Sequence, residues 1–102
     1  MQGFSDPKNQ SKRLGDLLLE SGMVAPADLQ RAVDIGRSNF QSLGKVLISM
    51  KICREQQIND ALEMQKYCKL EGMSGTIAVR VLALMHQKQI SSKQALEQVG
   101  WT

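Results

Sequence analysis

One stretch of this chain occurs twice. The segment RLGDLLLESGMVAPADLQRAVDIG, Arg13 to Gly36, returns without a gap as SLGKVLISMKICREQQINDALEMQ, Ser42 to Gln65, at an offset of 29 residues. Leu14, Gly15, Leu18 and Ala32 meet Leu43, Gly44, Leu47 and Ala61. The apolar register also holds where identity does not: Leu17 with Val46, Leu19 with Ile48, Met23 with Ile52, Leu29 with Ile58, Val33 with Leu62, and Ile35 with Met64. A repeat of this length is one supersecondary unit used twice, and each copy buries its apolar face against its neighbour.

The spacing within each copy is helical. Leu14, Leu17 and Leu18 fall on one face with Asp16 and Glu20 on the other. Gly22 ends that helix, and Ala25-Pro26 opens the next, since proline is tolerated at a first helical position. The second helix buries Leu29, Ala32, Val33 and Gly36. Arg37 to Gln41 join the copies, a length that suits an antiparallel helix connection. A third, degenerate hairpin follows over residues 74–101. Lys69 to Met73 reads as a break at Gly72, and Ser74 caps a helix from Thr76 to about Gln87. Ser91 and Gln94 match a capping box for a last helix to Val99, and Trp101 folds back over the core. With aromatics at 4%, that core is built from Leu, Ile, Val, Ala and Met. The expected fold is all-α: tandem helix-turn-helix hairpins, about six short helices, packed into one small bundle. Residues 1–10 read as a disordered leader and residues 11–102 as a single domain.

The net charge of +3 is unevenly placed. Residues 1–13 carry +2, residues 66–102 carry +3, and the repeats between them carry −2. A duplex-binding motif presents its basic stripe on the motif itself, so nucleic acid is not expected as a partner. There is neither a secretory signal nor an apolar run of bilayer length, so no membrane insertion is expected. Cys53 and Cys68 are the only cysteines and fit a reduced, cytoplasmic protein. They and the single histidine, His86, fall short of a zinc site. His86 is also the only imidazole base, at the end of a predicted helix where it serves the dipole or solvent. No glycine-rich phosphate loop occurs. The expectation is a protein that is not an enzyme and holds neither metal nor cofactor.

The paired Leu-Gly steps remain to be explained. Glycine in a first helical turn costs about 1 kcal/mol relative to alanine, and the chain places it twice at equivalent positions. Either another helix packs there, or a ligand approaches near helix N-terminal amides.

An Arg-Leu-Gly opening, an apolar pair, a glycine, a second apolar pair, and then a leucine stripe closing on Gln, given twice with a five-residue spacer, resembles the MshE-type N-terminal domain. That domain precedes the ATPase of type II secretion and type IV pilus assembly motors, and some members bind cyclic di-GMP. The resemblance covers Arg13 to Gln65. It implies that an opening Arg and a closing Gln hold each guanine while apolar positions cup the ligand. On this chain the implied site is Arg13, Leu14, Gly15, Leu29, Val33, Leu43, Gly44, Ile58, Leu62 and Gln65. Gly36 stands where the first closing Gln belongs, and Ser42 where the second opening Arg belongs; Arg37 lies beside the first vacancy and can reach in from the spacer. Two functions follow from the resemblance. One is a regulatory module for cyclic di-GMP. The other is a degenerate docking module for a secretion, pilus or signalling protein, with Leu82, Leu84, Met85 and Trp101 either packing on the repeats or facing the partner.

Overall fold

The computed structural model describes residues 12–101; the leader expected over residues 1–10 lies outside them. The described chain is all-α, with six helices: α1 Leu14–Glu20, α2 Pro26–Asn39, α3 Leu43–Ser49, α4 Glu55–Glu71, α5 Gly75–Lys88 and α6 Ser92–Gln98. Among the described residues there is no strand. The molecule is 20 Å across its thinnest dimension, about two helix diameters.

The repeat is obeyed to the residue. α1 and α3 begin and end at the same offset of 29, and α2 and α4 begin at it. α4 continues to Glu71, past the break expected from Lys69, because nothing in the sequence stops it before Gly72. Tyr67 and Cys68 are thereby held against the core, and Gly72 closes the helix in the left-handed region at φ 72°.

A second internal correspondence joins the C-terminal hairpin to the middle of the chain. Moving Pro26 to Gly75, an offset of 49, carries α2 onto α5 and α3 onto α6, end for end. Both long helices finish on a non-glycine left-handed residue, Phe40 at φ 55° and Gln89 at φ 56°. Their amides donate to Gly36 O and Met85 O, which are equivalent positions. α6 is thus a third copy of the short helix. All three short helices exit through one turn: Gly22 (φ 86°), Lys51 (φ 61°) and Gly100 (φ 79°) are left-handed, and their amides donate to Leu19 O, Ile48 O and Glu97 O. Trp101 takes the place of Met23 and Ile52 in this register and is half-buried against the core.

Each short helix packs mainly on a long one: α3 on α2, α6 on α5, and α1 on α4 and α5. Within the first copy, α1 and α2 meet far less. The core is filled by Leu17, Leu18, Val46, Leu47, Met64, Met73, Val81 and Leu82, all fully buried. Each such side chain contributes about 1.5–3 kcal/mol of burial. Ser21, the one buried polar residue among those described, donates its hydroxyl to Leu18 O at 3.2 Å.

Candidate functional site

The N-terminal ends of α1 and α3 face each other reciprocally, Leu43 lying beside Gly15 and Leu14 beside Gly44. A Cβ placed on Gly15 would lie 3.4 Å from Leu43 Cδ2 and 3.6 Å from Leu29 Cδ1. One placed on Gly44 would lie 3.0 Å from Ile58 Cγ2 and 3.8 Å from Leu14 Cδ2. The two sets are the same set under the repeat, so six of the expected residues, Leu14, Gly15, Leu29, Leu43, Gly44 and Ile58, converge. They converge on one another. Gly44 and Ile58 are buried, and Gly44 gives Ile58 of its own copy room to lie against α3. Packing therefore accounts for the glycine of the second Leu-Gly pair, Gly44, whereas a Cβ at Gly15 would make ordinary contacts only.

The polar corners differ between the copies, and the structure gives the reason. Gln65 Nε2 donates to Lys12 O at 3.0 Å, reaching across from α4 to the residue before Arg13. The same two positions in the first copy are Gly36 and Gln41. There the Gln41 carbonyl oxygen stands 2.9 Å from where a Gly36 Cβ would be, and Gln41 N donates to Gly36 O at 3.0 Å. In the first copy the backbone comes directly onto the helix, whereas in the second a glutamine side chain spans the gap. No side chain fits at 36 without moving that backbone.

The opening positions are both helix N-caps. Ser42 Oγ accepts from Lys45 N at 3.4 Å. Arg13 has no acceptor to offer, and instead Asp16 Oδ2 accepts from Arg13 N at 3.2 Å. Each copy keeps one half of a capping box, and α6 keeps both halves: Ser91 Oγ accepts from Gln94 N, and Gln94 Oε1 accepts from Ser91 N. Ser42 is thus a cap in its own right.

The remaining expected residues are more scattered. Arg13 is exposed beside the carbonyl that Gln65 holds. Val33 is half-buried in α2, and Arg37 is exposed in its last turn. Leu62 is 44% exposed and shares a shallow groove of about 240 Å³ with Gln65, Lys66, Lys69 and Leu70. Leu82 and Met85, weighed as a partner surface, are buried; the large apolar side chains that face outward are Ile35, Phe40, Leu62 and Leu70. Sequence pattern missed Leu70 and Phe40 because both lie just past the expected helical stripes.

Burial pushes the Cys53 thiol up, and burial also raises Cys68, against a smaller downward pull from the Lys12 ammonium. Both cysteines are free. Among the described residues no three His, Cys, Asp or Glu side chains are placed to hold a metal ion. No helix there is long and apolar enough to cross a membrane. No protein family, curated protein or solved structure compared with this chain matches it.

Proposed function

We propose that this chain is a non-catalytic, cytoplasmic docking module, built on the scaffold that resembles the MshE-type domain, whose partner is a protein. One observation carries this reading: the positions that hold a dinucleotide in that resemblance are engaged in internal structure here. Gly44 lies against Ile58 and Leu14, Gly15 lies against Leu43 and Leu29, Gly36 faces the Gln41 carbonyl, and Ser42 caps α3. Meanwhile the fold leaves large apolar side chains uncovered: Phe40 is 98% exposed, and Leu62 and Leu70, 44% and 71% exposed, line one groove together.

A second reading has its own support. Arg13 and Gln65, the two surviving guanine anchors, come from different copies yet lie side by side, and Lys66 and Lys69 line the groove at Gln65. That arrangement suits one half of an anionic dinucleotide such as cyclic di-GMP. Calorimetry with cyclic di-GMP separates the two. The docking reading expects no saturable heat, together with capture of one partner that is lost in Phe40→Ser/Leu70→Ser. Saturable heat abolished by Arg13→Ala and by Gln65→Ala would replace it with the nucleotide reading.

A further inference from the structure

We propose that the groove between α4 and α6 is where a basic segment of a partner protein docks; the inference rests on the docking reading and adds to it a second contact, apart from Phe40 and Leu70, with a chemistry of its own. The groove holds about 500 Å³. Tyr67 from α4 and Leu96 and Trp101 from the third short-helix copy line it, all half-buried, so their apolar surface is only partly covered by the fold. Around them stand the exposed carboxylates of Glu63, Glu71 and Glu97, with Lys93 as the one cation of the lining. Three carboxylates against one ammonium give the groove a charge of −2 on a chain whose net charge is +3. The local sign is opposite to that of the molecule.

Charge and shape together choose the occupant. A Lys or Arg side chain lays its methylene stem along apolar wall while its head reaches carboxylate, and an ammonium or guanidinium over an indole or phenol ring gains cation–π attraction. Phosphate-bearing partners meet the wrong sign, so neither nucleic acid nor an anionic bilayer fits. A second copy docking groove to groove would bring like charges together. A basic segment carrying one or two apolar residues satisfies both walls and rim.

Trp101 is the sole tryptophan, and so reports the groove directly. The probe is a synthetic twelve-residue peptide alternating Arg, Leu and Ser, titrated into the full chain while indole fluorescence is followed, with an otherwise identical Glu-for-Arg peptide in parallel. The Arg peptide is expected to give a saturable shift that weakens as salt rises. In Glu63→Gln/Glu71→Gln/Glu97→Gln the dissociation constant should rise by roughly tenfold, as three rim charges allow. All three side chains are exposed, so the variant keeps its fold, which circular dichroism checks. Three results would overturn the assignment: no saturable shift, equal binding of the Glu peptide, or unchanged binding in the triple variant. Amide shift mapping with the Arg peptide distinguishes the two levels of the argument. Perturbations confined to the Leu62–Leu70 face would sink the groove and leave the docking reading standing, and self-association on addition of peptide would count against the groove as well.

Discussion

At the scale of single residues, two glycines that look alike in sequence differ in what surrounds them. Gly36 is fixed by a backbone oxygen 2.9 Å from its missing Cβ, whereas the neighbour of Gly15 is the far end of a flexible leucine at 3.4 Å. Gly36→Ala should therefore lose about 1–3 kcal/mol to overpacking, although alanine is the better helix former. Gly15→Ala should be neutral or gain up to about 1 kcal/mol from helix propensity. Urea unfolding of the two variants side by side tests the contrast, and equal stability of Gly36→Ala and the parent would refute it. The thiols give a second prediction. Cys53 and Cys68 are raised by burial above the ordinary thiol value of about 8.5. The folded state therefore holds its thiol protons where the unfolded chain releases them. Stability should be unaffected by these groups below about pH 8 and fall as pH rises through 8.5 and beyond. Unfolding curves at pH 7.5 and 9.5 should separate more for the parent than for Cys53→Ala/Cys68→Ala.

At the scale of elements, the short helix with its left-handed exit is the unit that recurs. Copies one and three place glycine at that exit, and copy two places Lys51 at φ 61°. A side chain there costs about 1–2 kcal/mol in the left-handed region. Lys51→Gly is expected to stabilise the chain by about 1 kcal/mol, offset only slightly by the extra freedom of the unfolded glycine. A melting temperature unchanged or lowered would show that Lys51 makes compensating contacts. The position corresponds to Gly22, so the aligned copies expose this substitution, but only the backbone angle says that lysine is strained there.

Across the whole molecule, α3 and α6 are tethered to the helices they sit on through Phe40 to Ser42 and Gln89 to Ser91, while α1 reaches α4 through space. The Gln65 to Lys12 hydrogen bond stands in for that tether. Gln65→Ala should lower stability by about 1 kcal/mol, with the loss concentrated at one place. Amide hydrogen exchange should quicken in α1 and stay unchanged in α6. Uniform quickening across all six helices would mean that Gln65 serves the global core instead of this junction.

Helical class, the two copies and their register are legible in the amino-acid order alone, since apolar spacing and paired glycines are local properties that alignment of the chain with itself makes visible. The same order also places Ser74 and Ser91 as caps, because capping depends on residues three apart. Which helix sits on which, and what each polar corner does, follow from contacts between residues distant in the chain. Sequence grouped each short helix with the long helix after it, yet the packed pairs are a long helix with the short one that follows, and α1 sits on α4 and α5 together. The third copy of the short helix stayed hidden because little more than Leu47/Leu96 and Ser42/Ser91 survives between α3 and α6; its likeness lies in caps and backbone angles. Gly36 and Ser42 read as losses from a ligand site until the Gln41 carbonyl and the Lys45 amide supplied their reasons. Both groups are backbone atoms, which a side-chain pattern cannot carry.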